Sequence, residues 1–337
     1  MTEVICALVN SIEHKMGGHP EAPERFSLML GWPENPPYEG IQFVPADPAP
    51  HEDILRAHSP EMLLSLEIAS SMGLQEIEEA PTFVNEHSCD SMRQAAGAVL
   101  KLERMILTGG AKTGFAIVRP PGHHADREKP MGFCLLNNTA IGVADALAHG
   151  CKKVAIIDFD GHHANGTQAI FRDDPRVGVF SIHQENIYPG SGSMQDQVKG
   201  RIINLPLPHN TGDPAFSLIS NHILEPWLKR MQPDMLFISA GFDGHFADPL
   251  TGLGFSTEGY YNFAKGLKRL ANLYSVGRLL FVLEGGYDPQ GLKENIQAVL
   301  CALVDGDQYP NSFGSNPYPG ESIENRVILL AAMHELI

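Results

Sequence analysis

Apolar and polar positions follow two rhythms along this chain. Short apolar runs rich in β-branched and aromatic residues occupy 4–9, 115–119, 155–158, 177–182, 201–205, 235–239 and 279–283. Runs of this length, bounded by Gly, Pro or Asp, read as strands of a parallel sheet buried on both faces. Between them the apolar positions recur at the helical period. The strongest case is 85–107, with Met92, Ala95, Ala96, Val99, Leu100 and Ile106 on one stripe and Gly109-Gly110 closing it. From Ser59 the pattern turns helical, with Met62, Leu63, Leu66 and Ile68 on a shared stripe. An Ala-rich stretch at 137–149, and the stretches 214–230, 257–271 and 289–304, supply further helices. Residues 31–51 are rich in Pro and show no period, which predicts an irregular connection. Strands alternating with helices imply a parallel sheet wrapped on both faces. No repeat, low-complexity tract or linker divides the chain, so 1–337 reads as a single domain. The apolar end, 327–337, is either a helix packed on the body or an interface.

Composition narrows the function classes. The chain has 337 residues, 43% hydrophobic and 19% charged, which is enough to bury a large core. A formal net charge of -16 argues against a nucleic-acid partner and against an anionic membrane surface. The five cysteines are scattered without a CxxC pair, which suits reduced thiols of a cytoplasmic protein. The N-terminus shows no signal-peptide pattern, and no segment is long and apolar enough to span a bilayer.

Chemistry collects where the strands end. In an open parallel sheet, ligands bind beyond the carboxyl ends of the strands. The run 155–158 leaves its strand through Asp158-Phe-Asp160-Gly-His162-His163 and then Ala164-Asn165-Gly-Thr167. Side chains on a strand alternate faces, so Asp158 and Asp160 point the same way, and His162 keeps that parity. Two carboxylates and an imidazole without thiolate suit a divalent metal of the zinc type. Such residues at one strand end are also ordinary caps and turns, so the other exits carry the decision. Pro121-Gly122-His123-His124 follows 115–119, and His183 and Tyr188 follow 177–182. Gly241-Phe-Asp243 follows 235–239, and Glu284-Gly-Gly-Tyr287 follows 279–283. Asp160, His162 and Asp243 would give a metal three protein ligands and leave positions open for water and substrate. His123 and His124 would move protons, with Asp158 and Asn165 as candidate partners for their far nitrogens. Tyr287 could donate to a developing oxyanion, and Phe133 and Tyr188 could wall an apolar slot.

These motifs, in this order and over most of the chain, resemble the zinc-dependent histone deacetylase family, which includes acetylpolyamine amidohydrolases and acetoin-utilisation proteins. The resemblance rests on Arg119-Pro-Pro-Gly-His-His-Ala125, Gly132-Phe-Cys134, Asp158 to Thr167, Ser239-Ala-Gly-Phe-Asp243 and Leu283-Glu-Gly-Gly-Tyr287. It implies the arginase–deacetylase α/β fold, a single eight-stranded parallel sheet flanked by helices on both faces. It further implies Zn2+ on Asp160, His162 and Asp243, His124 as general base and acid, and His123 acting mainly through its charge. Tyr287 would stabilise the oxyanion, and Gly132, Phe133 and Tyr188 would line the acyl-lysine tunnel. Structural K+ would sit in an inner site at Asp158 and Ser181, and a second site would lie around Phe171 to Val177. The pattern His19-Pro-Glu-Ala-Pro-Glu-Arg25 and Asn165 resemble the class II branch, where an amide replaces a carboxylate behind the catalytic imidazole.

On this reading the substrate is an acyl-lysine protein or peptide, or a small acetylated amine. Polyamine specialists of the family carry an acidic gate where this chain has Leu250. An apolar gate offers no charge to a distal ammonium, which favours acyl-lysine. A non-catalytic acyl-lysine binder would be expected to lack Tyr287, a metal ligand or one His of the pair, and none is missing. The loop between His14 and Glu24 and the segment after Asp305 are the surfaces through which a homo-oligomer would form.

Overall fold

A computed structural model describes residues 4–78, 80–317 and 320–337. Along the chain, β1 (Val4–Val9) and β2 (Ile41–Phe43) precede α1 (His51–Ile54) and α2 (Pro60–Ser71). A hairpin of β3 (Gln75–Glu78) and β4 (Thr82–Val84) follows. Then come α3 (Ser88–Leu107), β5 (Thr113–Val118), α4 (Asn138–Ala148), β6 (Val154–Asp158), α5 (Asn165–Phe171), β7 (Val177–Gln184) and β8 (Ile202–Leu207). The remainder carries α6 (Pro214–Ile219), α7 (Glu225–Met231), β9 (Met235–Ala240), α8 (Thr257–Tyr274), β10 (Leu279–Leu283), α9 (Pro289–Leu303) and α10 (Glu324–Met333).

The apolar runs pair into one eight-stranded sheet of order β2-β1-β5-β10-β9-β6-β7-β8, with every neighbouring pair parallel. The central strands are largely apolar because helices cover both faces and leave little of either parity to water. Ile157, Phe180, Ile238 and Phe281 face a layer that includes Leu267 and Leu270 of α8 and Leu292 and Ile296 of α9. Their neighbours Ile156, Val179, Phe237 and Val282 face the other layer, with Val99 and Leu102 of α3 and Ile141 of α4. The chain order reverses between the two halves of the sheet. The strands β5, β10, β9 and β6 therefore lie side by side at its centre, and their carboxyl ends open onto one crevice.

Several local expectations change. The eighth strand, β2, falls inside the stretch read as irregular; three residues at a sheet edge are too few to show a period. The β3–β4 hairpin was not legible either. On α2, Met62, Leu63 and Leu66 are buried, but Ile68 is 53% exposed, because only one side of this helix meets the body. The stretch 214–230 is interrupted by a π-helical turn, Ser220–Leu224, ahead of Pro226, which cannot donate a backbone hydrogen bond. The apolar C-terminal end is α10, packed on the body through Val327, Leu330 and Ala331.

Candidate active site

The four central strands place their exit loops around one cavity of about 150 Å3. It is lined by His123 and His124 from the β5 loop, Asp160 and His162 from β6, and Gly285 and Tyr287 from β10. Tyr188 from β7 and Leu250 from the β9 loop complete this side. Across from them stand Gly132 and Phe133, together with Ala80 and Pro81 of the β3–β4 connection. Phe133 holds φ at +68°, a strained value for a non-glycine residue, and its N–H donates to Thr82 Oγ at 2.9 Å. Gly132 precedes it at φ +57°, and a Cβ there would lie 2.4 Å from Cδ2 of His124. Only glycine therefore allows this turn to press against the imidazole. The ring of Tyr188 stands edge-on to His124 at 5.1 Å, and Phe133 stands edge-on to Tyr287 at 6.0 Å.

Donor atoms of Asp160, His162 and Asp243 all lie within 4.8 Å of one another. Asp243 Oδ2 is buried with no hydrogen-bond partner, yet it lies 2.8 Å from Nδ1 of His162. Burying a carboxylate oxygen against a ring nitrogen is costly unless a proton or a metal cation sits between them. With no metal, burial works against a charged His162, but Asp243 and Asp160 outweigh it and push it up to about 10. A divalent cation would replace that proton, so the donor set fits a metal. Burial also opposes the charge on Asp160, but His123 and His162 hold it well below the usual carboxylate range. Asp243 is raised by burial and by Asp160 beside it.

The two histidines behind the cluster are driven apart. His123 Nδ1 pairs with Asp158 Oδ2 at 3.0 Å. Despite burial, the charges of Asp160 and Asp158 push it up to about 10. His124 Nδ1 lies 2.6 Å from Asn165 Oδ1, a neutral partner, and burial with the charges of His123 and His162 drives it well below 6.5. Without a metal the two imidazoles are thus pushed in opposite directions, His123 toward the protonated form and His124 toward the neutral one. Burial raises the Tyr287 hydroxyl well above 10, which keeps its proton available for donation.

The two cation expectations part company. Asp158 and Ser181 are register partners on β6 and β7, where an inner ion would sit. At the second, the carbonyls already have a charged neighbour. The carbonyls of Phe171 and Val177 face the guanidinium of Arg201, whose Nη1 donates to Phe171 O at 3.4 Å, Asp174 O at 2.8 Å and Val177 O at 3.5 Å. Its Nη2 donates to Arg172 O at 2.7 Å. A fixed positive charge therefore stands at the carbonyl cup at the end of α5.

Residues missed in the sequence lie behind this first layer. Glu284 Oε2 accepts the N–H groups of Gly122 and His123 at 2.7 and 3.0 Å; burial pushes it up to about 7. Burial opposes the charge of Glu21, but the guanidiniums of Arg119 and Arg25 hold it down to about 2. Arg25 in turn donates to the carbonyls of Gly286 and Glu284 beside Tyr287. Glu284 shows in the sequence as a charge at the end of an apolar run, while Glu21, Arg25 and Arg119 lie in quoted motifs that give them no role.

Residues 19–303 match the family described as the histone deacetylase domain. The chain is 36% identical over 337 residues to histone deacetylase 14, chloroplastic, of Arabidopsis thaliana, covering 94% of this chain and 80% of that protein. It is 37% identical over 295 residues to a probable deacetylase of Archaeoglobus fulgidus, covering 86% and 82%. The crystal structure of the HDA15 HD domain superposes with a TM-score of 0.88 at 29% identity, over 99% of this chain and 94% of that one. Among the described residues, no helix is long and apolar enough to cross a membrane.

Proposed function

Because the chain belongs to the histone deacetylase family, we propose that this deacetylase removes acetyl groups from lysine side chains of proteins or peptides. The supporting observation is one narrow, largely apolar cavity that ends on Asp160, His162, His123, His124 and Tyr287 and has Leu250 at its rim. Asp160, His162 and Asp243 would hold zinc, which when bound acidifies a water molecule and polarises a carbonyl group. His124, held neutral, takes the proton from the attacking water through Nε2, while Asn165 accepts from Nδ1–H and so fixes the tautomer. Tyr287 donates its hydroxyl proton in a hydrogen bond to the oxygen that becomes negative as the carbonyl carbon turns tetrahedral. His123 keeps its charge beside Asp158 and steadies the same negative charge through space. The C–N bond then breaks as His124 returns its proton to the leaving nitrogen, and acetate and a free amine result.

We further propose one domain spanning 1–337, an inner monovalent cation at Asp158 and Ser181, and a reducing compartment such as the cytoplasm. The last is supported by five free cysteines.

Hydrolysis of a fluorogenic acetyl-lysine peptide, with and without chelator, tests the activity. Tyr287→Phe should lower turnover by about two to three orders of magnitude with metal content unchanged, as loss of one oxyanion donor does. Full activity in that variant would remove Tyr287 from the reaction. Faster turnover of acetylputrescine or acetylspermidine than of the peptide would move the substrate class to small acetylated amines.

A further inference from the structure

We propose that Asp248 is the positioning residue of Tyr287 and couples it to the rim of the tunnel, an inference that rests on the deacetylase reading above. Asp248 lies on the loop between β9 and α8 and is only 8% exposed. Its Oδ2 accepts the backbone N–H of Tyr287 at 2.6 Å and that of Asp288 at 3.4 Å. Its Oδ1 accepts the N–H of Leu250 at 3.0 Å. One carboxylate therefore holds the peptide of the oxyanion tyrosine with one oxygen and the peptide of the tunnel-gate residue with the other. Its own N–H is tied to the carbonyl of His245 at 2.9 Å, so the clamp is anchored to the loop that also presents Asp243.

The turn that carries Tyr287 needs such a hold. Gly285 and Gly286 precede it, and neither has a side chain with which to pack the turn in place. Arg25 grips the carbonyl side, with Nε on Gly286 O at 2.7 Å and Nη2 on Glu284 O at 2.8 Å. Asp248 grips the amide side. The ring of Tyr287 has Phe133 edge-on at 6.0 Å and the Arg25 guanidinium at 4.9 Å, contacts longer than those that hold its backbone. A buried carboxylate is costly unless it is compensated. Here the compensation comes from backbone N–H groups at the two positions that meet substrate. An oxyanion donor has to sit about 2.7–3.1 Å from the developing charge, and a misplacement of about 1 Å costs on the order of a hundredfold in rate. Loss of this clamp should therefore act on the transition state and leave substrate binding nearly intact.

The test is a double-mutant cycle on the metal-loaded full chain with an acetyl-lysine peptide. D248N keeps the shape but turns one N–H acceptor into a donor. It should lower kcat by about tenfold to a hundredfold, with KM and metal content close to the parent. In the Y287F background the same substitution should cost nothing further, because the group it positions is already gone. Unchanged kcat in D248N, a KM rise with kcat intact, loss of metal, or a double variant slower than Y287F by the full D248N factor would each overturn the proposal. Should D248N not fold, D248S, which is smaller and adds no amide against these N–H groups, carries the same readouts. Full activity of Y287F alone would instead overturn the catalytic reading, so the two failures are distinguishable.

Discussion

Removing the Arg201 side chain should open the carbonyl cup at the end of α5 to potassium. The guanidinium makes two firm bonds to carbonyls, at 2.8 and 2.7 Å, and two long ones at 3.4 and 3.5 Å. A hydrogen bond to a charged group contributes roughly 1.5–3 kcal/mol. Arg201 is half-buried, so water can partly replace it, and the lower end applies. Two such bonds give a loss of roughly 3 kcal/mol for Arg201→Ala, about 4 °C in Tm for a chain of this size. The variant leaves the carbonyls of Phe171, Arg172, Asp174 and Val177 facing one vacated space, an oxygen-only donor set of the kind a hard cation takes. A cation that binds only the folded variant returns about 2.7 kcal/mol at a hundred times its dissociation constant. Thermal melts in KCl and in choline chloride at equal ionic strength read this directly. The variant should melt lower in choline and recover most of the loss in KCl. The potassium response of the parent is the reference. An Arg201→Ala protein with the same potassium response as the parent would refute the reasoning, as would one with no loss of stability in choline.

Gly241→Ala would place a methyl 1.9 Å from Oδ2 and 2.4 Å from Cγ of Asp160, whose Oδ2 is already tied to the N–H of Gly285 at 2.8 Å. The ligand has to move, and metal affinity, read as metal retained after dialysis, should fall at least about tenfold and be recovered in excess metal. Retention equal to the parent would show that Asp160 is not held where a ligand must be. Glu103 is buried beside Asp145; burial, the Asp145 charge and a side-chain hydrogen bond to Asp145 push it up to about 9. Its folded value exceeds the unfolded one, so its stabilising effect is complete below about pH 4.5 and is lost as pH rises toward 9, at up to about 1.4 kcal/mol per pH unit. Glu103→Gln should thus gain in Tm over the parent as pH is raised from 5 to about 9, and a difference that stays flat with pH would sink the assignment.

Much of the fold could be read directly from hydrophobic pattern. The run 155–158 is apolar at every position up to its final Asp, and only a strand covered on both faces tolerates that. The three-residue β2 and the β3–β4 hairpin escaped because their pairing partners, not their own residues, define them. The candidate site was legible to the same depth. Asp160, His162, Asp243, His123, His124 and Tyr287 are polar groups at the exits of apolar runs, where pattern alone marks them. Asp248, Glu284 and the Glu21–Arg25–Arg119 set are acidic or basic residues whose role comes from partners far away in sequence.

What the amino-acid order determined by itself was therefore local: which segments are strands, which residues stand at their ends, and what chemistry those residue types can perform. Three matters waited for the tertiary structure. The strand order brings β5, β10, β9 and β6 together, and so turns separate loops into one cavity. The packing decides that His123 faces the carboxylate of Asp158 while His124 faces the neutral amide of Asn165, and so gives the two imidazoles unlike surroundings. The register of β8 on β7 sends Arg201 into a cup of carbonyls where the family pattern implied an ion. In each case the deciding quantity is an interaction between groups distant in sequence, set by distances that no local pattern encodes.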